Sequence, residues 1–380
     1  MAGRLPAAPP ILSGFTYVRP LGTGGFADVF LFEQNMPRRP VAVKVLLQDI
    51  VDDGLLRMFN AEADVMARLS AHPSILTIYQ ASVSADGRPY IVMEHCPNSM
   101  TNRYRRELIP VAEIVALGVK IGSALETAHR AGLLHRDIKP SNILMTAFGA
   151  PVLSDFGIAA SINARGDGEV FAMSVPWSAP EVVDESISGS IPSEVWSLGA
   201  TIYTLLAGRS PFEIAGSGQN GRDQLKGRIR KAQYTPIGRS DVPPSLEAVL
   251  QRSMSKDPAR RQASAAQFAY ELQVVQHEMG LPSTPLEIAV DEWAAAGAAI
   301  DFQDNSLRGP VRPTVEHASR RPQRASRSTA RRVSLDGTVL AGSSPSRPAR
   351  SRWLIPTIIA GAVAVGAAAT VTVLALTGVF

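Results

Sequence analysis

The chain has 380 residues, of which 45% are apolar and 19% are charged, a composition that excludes a globally disordered protein. Its one cysteine, Cys96, excludes an internal disulfide framework and any metal site built from several cysteines. The net charge of +4 is unevenly distributed, because residues 308–352 hold eleven arginines against two acids, so the charge does not predict a nucleic-acid-binding protein.

The first part of the chain is rich in predicted strands. Residues 1–14 are rich in Pro and Ala, and we expect this N-terminus to be flexible. Apolar and β-branched runs between turn residues predict five strands, over residues 15–20, 28–32, 41–47, 75–80 and 88–93. A single helix is predicted among them, over residues 55–69, where apolar residues recur at helical spacing.

Helices dominate from residue 109 onward. Apolar residues at helical spacing predict four of them, over residues 111–132, 191–207, 245–254 and 265–279. Strands followed by helices predict an α+β protein with two lobes. Residues 281–308 keep apolar side chains such as Leu286 and Trp293, and we expect this C-terminal extension to pack on or near the second lobe.

The C-terminal region has two contrasting parts. Residues 309–352 are rich in Arg, Ser and Pro and predict a disordered juxtamembrane linker. The 27 residues 354–380 carry no charge and would form a helix of about 40 Å, against about 30 Å for the hydrocarbon core of a membrane. We interpret residues 354–378 as a single transmembrane helix, with a buried helix or a disordered Ala/Gly tail as the alternatives.

The charges beside this helix predict its orientation. Arg350 and Arg352 lie on its N-terminal side, so we expect a cell-membrane protein whose folded part is cytoplasmic and whose linker lies near anionic lipid. Ala362, Gly366 and Thr370 place small residues on one helix face, which favours a homodimer. A chance pattern in an Ala-rich helix is the alternative.

A glycine-rich run, LGTGGFADV at residues 21–29, lies between two predicted strands. Glycines permit a tight turn whose backbone N–H groups approach phosphates closely, although such a turn is a weak signal alone. The strand VAVK at residues 41–44 ends in a lysine, which is costly within an apolar run unless it is paired. Glu62, on the helix that follows, is the expected partner of Lys44, unless it lies on a solvated helix face.

The string HRDIKPSN at residues 135–142 is far more specific, because it places a carboxylate, an ammonium and an amide within a few residues. DFG at residues 155–157 follows a predicted hairpin, and APE comes later, at residues 179–181. Asn142 and Asp155 offer oxygen ligands of the hard type that Mg²⁺ prefers.

In this order, the glycine-rich loop, VAVK, Glu62, HRDIKPSN, DFG and APE resemble the protein-kinase signature. With its C-terminal apolar run, the chain is similar to the membrane-anchored bacterial serine/threonine protein kinases of eukaryotic type. The resemblance implies a two-lobed kinase domain over residues 15–280, with the N-lobe at 15–96 and the C-lobe at 97–280. It implies ATP with Mg²⁺ or Mn²⁺ as cofactors and proteins with Ser or Thr hydroxyls as substrates, with no nucleic-acid partner.

The resemblance also implies a role for each matching residue. Asp137 would accept the proton of the substrate hydroxyl, Lys139 would neutralise the γ-phosphate, and Lys44, held by Glu62, would complete the catalytic set. Asn142 and Asp155 would hold the metal. The ATP-binding residues would be Leu21, Gly22, Gly24, Gly25, Val29, Ala42, Lys44, Met93, Glu94 and Cys96. The protein-substrate platform would include Ser174, Pro180 and Glu181.

Two positions bear on the structure around this set. Glu194 replaces the aspartate that usually ties the backbone of the catalytic loop, and it is one methylene longer. Arg261 matches the buried arginine that pairs with Glu181 in the family, and such a pair is structural because a lone buried carboxylate is costly.

The segment between the DFG and APE motifs departs from the family pattern, since it has no Ser, Thr or Tyr between Ser161 and Ser174. Relatives commonly satisfy the arginine beside the catalytic aspartate with a phosphate on this loop. We expect Glu169, or Asp167, to face Arg136 instead, unless both acids are solvated. A pseudokinase or signalling scaffold of the same fold, and a small-molecule phosphotransferase, are the competing functions.

Overall fold

The computed structural model describes residues 4–25, 27–48, 59, 63, 66–156, 174–216 and 218–288. A five-stranded antiparallel sheet in the order β1-β2-β3-β5-β4 forms the first lobe. Its strands are β1 (Phe15–Thr23), β2 (Ala27–Asn35), β3 (Arg38–Leu46), β4 (Ile78–Val83) and β5 (Pro89–Glu94). All five were predicted from the sequence, each within a few residues of its observed ends.

Alternation along the strands gives this sheet two different faces. The outer face carries an apolar cluster that includes Phe30, Val43 and Tyr90. The inner face carries Ala42 and Lys44, and the register pairs Lys44 with Val29 of β2. Lys44, the one lysine of β3, therefore lies on the face of the sheet opposite to this cluster.

The N-terminus packs against the outer face of the sheet, so residues 4–14 differ from the loose segment that the composition predicts. Leu12 is buried in the outer-face cluster. The backbone N–H of Ala7 donates to Asp28 of β2 over 2.7 Å, and Arg88 donates to the carbonyl of Ala8 over 2.9 Å. Composition could not predict this, because the contacts join residues far apart in the sequence.

Helices form most of the second lobe, as predicted. They are α1 (Met100–Tyr104), α2 (Val111–Arg130), α3 (Pro180–Val183), α4 (Ile191–Ala207), α5 (Arg222–Lys231), α6 (Pro244–Ser253) and α7 (Ala265–Glu278). The sequence does not predict α1, α3 or α5: α1 and α3 have only five and four residues, and Leu225 and Ile229 are the only two buried residues of α5.

The buried helix α4 has the bounds that the sequence predicts, because a capping residue lies at each end. Ser190 caps the helix by accepting the backbone N–H of Ser193, and Gly208 ends it at a φ of 71°. Trp196, Leu198 and the residues around them are buried in the main core of this lobe.

A second, small antiparallel sheet has three strands. It comprises β6 (Asn98–Ser99), β7 (Ile143–Met145) and β8 (Pro151–Leu153). The segment 135–142 enters β7, and Asp155 follows β8, so the β7–β8 hairpin brings the two predicted motifs to the same edge of this sheet.

The described part of the C-terminal extension, residues 281–288, runs back along the second lobe. Leu286 packs against the main core, and Gln276 of α7 bonds to Thr284 over 2.8 Å. His72, before β4, donates from Nε2 to the carbonyl of Glu287 over 2.6 Å, because its Nδ1 accepts the N–H of Ser74. Burial lowers the pKa of His72, so the neutral ring makes these bonds.

Several predicted features lie outside the described residues: Glu62 with most of the helix at 55–69, the loop at 157–173, the linker at 309–352 and the helix at 354–378. Among the helices that the structure describes, none combines the length and the apolar character needed to cross a membrane.

Two glycines provide a matched test of this packing. A Cβ on Gly199 of α4 would lie 1.9 Å from the Oγ of Ser253 and 2.9 Å from its Cβ, whereas a Cβ on Gly227 of α5 would meet nothing within 4 Å. Gly199→Ala should lower the free energy of unfolding by about 1–3 kcal/mol through overpacking. Gly227→Ala should raise it by about 0.5–1 kcal/mol through helix propensity. Denaturant unfolding of both variants checks this, and equal effects would contradict the packing.

Candidate active site

Two side chains of the segment 135–142 converge on the carboxylate of Asp137. Lys139 Nζ lies 2.6 Å from Asp137 Oδ2, and Asn142 Nδ2 donates to the same oxygen over 3.0 Å. Asn142 Nδ2 also donates to the backbone carbonyl of Asp137 over 2.8 Å. The carboxylate is therefore held in one orientation, with a cation beside it.

Ser174 adds a hydroxyl to this group from a different part of the chain. Lys139 Nζ donates to Ser174 Oγ over 2.9 Å, so the ammonium connects the serine to the Asp137 carboxylate. The position of Ser174 is fixed by the short 3₁₀ turn Val175–Trp177 that follows it and by its carbonyl, which accepts from Ser178 Oγ.

Lys44 and Asp155 join the two lobes at the site. Lys44 Nζ, on the inner face of β3, contacts Asp155 Oδ1 over 2.5 Å, and Ser154 Oγ donates to the other oxygen over 3.1 Å. Desolvation opposes ionisation of Asp155, but the charge and hydrogen bond of Lys44 outweigh it and hold its pKa below the usual value. The carboxylate stays ionised, with about 40% of its side chain exposed to the cleft.

His135 and Phe156 support the site from beneath and do not face the cleft. Their ring centroids are 4.5 Å apart, and both residues are buried. His135 Nε2 donates to the carbonyl of Ser154 over 2.8 Å, and burial lowers its pKa. The neutral ring therefore ties the segment 135–142 to the residue before Asp155.

Glu194 of α4 holds the backbone of this segment. Its Oε1 accepts the N–H of Arg136 over 2.6 Å, and its Oε2 accepts from His129 Nε2 of α2 over 2.7 Å. The side chains of Glu194 and His129 are almost fully buried. Arg136 takes a φ of 65°, which an L-residue seldom adopts, and the hydrogen bond from its N–H to Glu194 stabilises this conformation.

The side chain of Arg136 is exposed and lies beside Gly189, where a Cβ would approach Arg136 Cγ to 3.4 Å. Its expected partners, Asp167 and Glu169, lie outside the described residues. That one of these two acids faces Arg136 therefore stays a prediction.

The glycine-rich loop joins β1 to β2 above this cleft. Its backbone is closed by a hydrogen bond from the N–H of Gly24 to the carbonyl of Ala27, 2.9 Å long. A Cβ on Gly24 would approach that carbonyl to 3.1 Å, whereas Gly22 and Gly25 have open space. The predicted contacts of Leu21, Gly22, Gly24, Gly25 and Val29 with ATP stay predictions.

Met93, Glu94 and Cys96, three of the predicted ATP-binding residues, lie at the end of β5 and just after it. Met93 pairs with Ala42 of β3, and the N–H of Glu94 donates to the carbonyl of Thr77 over 2.9 Å. Burial, with the nearby Glu94 carboxylate, raises the pKa of Cys96 to about 12, so the thiol is neutral and a poor nucleophile. This agrees with a packing role for Cys96.

The pair of Glu181 and Arg261, expected from the sequence, is present and bidentate. Arg261 donates to the two carboxylate oxygens over 2.7 and 2.9 Å, and its guanidinium lies 5.0 Å from the centre of the Trp196 ring. Arg261 also donates to the carbonyls of Pro192 and Ser255. The pair therefore anchors the segment after Ser174 to the core of the second lobe.

The residues predicted to hold a metal have the chemistry for it. Asn142 is fixed through its amide nitrogen, which leaves the carbonyl oxygen as the ligand, and Asp155 is ionised. Ser154 links them, because its N–H donates to the carbonyl of Asn142 over 2.9 Å and its Oγ donates to Asp155 Oδ2 over 3.1 Å. Hard oxygen donors of this kind suit Mg²⁺ or Mn²⁺.

The structure thus brings together Lys44, Asp137, Lys139, Asn142, Asp155 and Ser174 as the sequence predicts, while Glu62 lies outside the described residues. The sequence does not single out two supporting residues of the site, His129 and Ser154. His129 has a signal in retrospect, since a histidine at the polar end of a buried helix precedes the motif by six residues. Ser154 has none, because its role depends on backbone geometry.

Comparison with known proteins gives consistent matches. The family model described as protein kinase domain matches residues 15–277. The chain is 38% identical over 309 residues to the serine/threonine-protein kinase PknK of Mycobacterium tuberculosis, covering 80% of this chain and 28% of that protein. It is 31% identical over 307 residues to PknJ of the same species, covering 77% of this chain and 51% of PknJ.

A solved structure is also similar, that of a mutant of the Mycobacterium tuberculosis PknI kinase domain. It superposes on this chain with a TM-score of 0.52 and is 27% identical to it in sequence. The match covers 70% of this chain and 98% of the chain of the solved structure. The chain spans about a quarter of the length of PknK and about half of PknJ.

The buried bonds of Glu194 predict an effect that an exposed carboxylate should not show. Glu194→Gln replaces an oxygen acceptor by an NH₂ group that faces a donor, so we expect a loss of about 1–3 kcal/mol in the free energy of unfolding. Glu107→Gln, in an ion pair whose carboxylate is 52% exposed, is the matched control and should change it by less than about 1 kcal/mol. Denaturant unfolding measures both, and comparable losses would contradict the assignment.

Proposed function

The chain belongs to the protein kinase family, in its serine/threonine-specific branch, and we propose that it transfers the γ-phosphate of ATP to Ser and Thr hydroxyls of proteins at the cytoplasmic face of a membrane. The observation that carries the catalytic part is the Lys139 ammonium, which contacts both Asp137 and Ser174. One cation beside one oriented carboxylate is the arrangement that a phosphoryl transfer to a hydroxyl needs.

The reaction follows from the charges around Asp137. A substrate hydroxyl oxygen attacks the γ-phosphorus, the bond to the β–γ bridging oxygen breaks, and the hydroxyl proton passes to the Asp137 carboxylate. Asn142 holds that carboxylate in place. Lys139 lies close enough to stabilise the negative charge on the transferred group, and Ser174 orients its ammonium.

Lys44 and Asp155 act on the nucleotide side. The ammonium of Lys44 contacts a carboxylate here, and phosphate oxygens would offer it the same charge and hydrogen-bonding chemistry. Asn142 and Asp155 would hold a divalent cation, which would offset the negative charge of the phosphates when bound. The lowered pKa of Asp155 keeps this ligand ionised at neutral pH.

The membrane part of the proposal rests on the sequence after residue 308. A charge-free run of 27 residues is long enough to span a bilayer, and the arginines before it favour a cytoplasmic linker in contact with anionic lipid. Small residues at Ala362, Gly366 and Thr370 favour pairing of two such helices in a homodimer. ATP is also available on the cytoplasmic side.

Asp137→Asn tests the catalytic assignment. The amide cannot accept the hydroxyl proton, so we expect kcat to fall by at least about 100-fold while the Kd for Mg·ATP changes by less than about threefold. Asp241→Asn, in an ion pair with Arg239 whose carboxylate is 57% exposed, makes the same chemical change away from the site and should preserve kcat.

A phosphotransfer assay with a generic protein substrate measures kcat, and calorimetry measures the Kd for Mg·ATP. A wild-type protein that binds nucleotide without transferring phosphate to protein would favour the scaffold function, and transfer only to small molecules would favour the small-molecule phosphotransferase.

Cell fractionation tests the membrane part. The full chain should sediment with membranes and resist extraction by high salt, whereas a variant ending at residue 352 should be released. Protease added outside intact spheroplasts should leave the kinase domain uncut, because the arginine flank predicts a cytoplasmic domain. Digestion of the domain from outside would refute the orientation, and a soluble full chain would refute the anchor.

A further inference from the structure

Asp28 of β2 is a buried carboxylate that the catalytic arrangement does not use. It is 1% exposed and directly follows Ala27, whose carbonyl closes the turn of the glycine-rich loop. Its two oxygens are satisfied by the N-terminus: the Arg4 guanidinium contacts Oδ1, and the N–H of Ala7 donates to Oδ2 over 2.7 Å. A buried charge of this kind is costly unless it is paired.

A second set of contacts holds the same segment, residues 4–12, which we call the N-terminal strap. Arg88, buried at the start of β5, donates to the carbonyl of Ala8 over 2.9 Å. Asp86 orients that guanidinium over 2.6 Å, and Leu12 is buried in the outer-face cluster. The strap is therefore fixed at both ends and in the middle.

The register shows where the strap crosses the sheet. Asp28 pairs with Val45 of β3, and Val45 pairs with Tyr90 of β5, so one row of residues runs beneath the strap. These side chains share the outer face. Their neighbours Val29 and Lys44, which pair with each other, share the inner face and belong to the predicted nucleotide site.

Asp28, which the strap contacts, is one residue away from the hydrogen bond that closes the glycine-rich loop. Ala27, whose carbonyl closes the loop by accepting the N–H of Gly24, immediately precedes Asp28. Asp28 also pairs with Thr23 at the end of β1. Fixing Asp28 on the outer face therefore fixes the point at which the loop returns to the sheet.

We propose that the N-terminal strap positions the glycine-rich loop, with Arg4 and Asp28 as positioning residues for ATP. This inference rests on the proposed function, because it assigns ATP to the inner face. Neither residue reaches that face; they act through the backbone around the end of the loop. Without Arg4, the Asp28 carboxylate keeps one backbone N–H, and β2 must move or admit water to solvate the charge.

The experiment uses the full chain and four variants: Arg4→Ala, Asp28→Asn, the double variant, and Arg38→Ala as the control. Arg38 forms an exposed ion pair with Glu33 at the other end of the β2–β3 hairpin, so its loss tests a surface charge on the same strands. Calorimetry gives the Kd for a non-hydrolysable ATP analogue with Mg²⁺. Thermal unfolding sets a temperature at which all variants are folded.

Arg4→Ala should raise this Kd about tenfold, equivalent to about 1.4 kcal/mol. The double variant should bind the ATP analogue more tightly than Arg4→Ala does. A buried carboxylate at position 28 needs the Arg4 cation, whereas the neutral amide of Asp28→Asn does not. Arg38→Ala should leave the Kd unchanged. The KM for the protein substrate should stay constant in every variant, which separates positioning of the ATP loop from general destabilisation.

Hydrogen exchange of the backbone amides at the end of the loop and the start of β2 supplies a readout without nucleotide, and Arg4→Ala should accelerate it. An unchanged Kd and unchanged exchange in Arg4→Ala would overturn the strap, as would equal losses in Arg4→Ala and Arg38→Ala. If the wild type binds nucleotide but transfers no phosphate, the proposed function fails while Kd and exchange still decide on the strap.

Discussion

The buried carboxylate of Glu194 is the constraint on which the site depends. It lies on α4, accepts from His129 on α2, and accepts the backbone N–H of Arg136. One side chain thus fixes two core helices and the start of the segment that carries Asp137. A buried carboxylate of this kind is favourable only when hydrogen bonds compensate its desolvation. Arg136, whose N–H makes this bond, has a positive φ of 65°.

Among the residues that the structure describes, the cleft holds two pairs of opposite charge. In the proposed reaction, Lys139 with Asp137 would lie on the side of the substrate hydroxyl, and Lys44 with Asp155 would lie on the side of the nucleotide. In that reaction each pair would keep a cation where negative charge develops. The neutral rings of His135 and Phe156 pack together beneath the pairs. The structure therefore separates residues that carry charge from residues that maintain shape.

Much of the fold and of the site was predictable because it depends on local patterns. Helix α4 was predicted with its observed bounds, since Ser190 and Gly208 mark its ends. Most of the site residues come from short motifs whose members are close in sequence or joined by one hairpin. Helix α5 was missed because its few buried residues give too weak a periodic signal, and the N-terminus was predicted to be loose because its composition is that of a flexible segment.

The sequence by itself determined the two-lobed class, the motifs and the chemical identity of the groups in the cleft, because strand alternation, helical spacing and short motifs are local properties. The tertiary structure alone decided the contacts for which no motif names a partner. It paired Glu194 with His129, which are 65 residues apart. It also placed the N-terminal strap over Asp28. Such contacts have no local signal, because a buried charge selects its partner by proximity in the folded core and not along the chain.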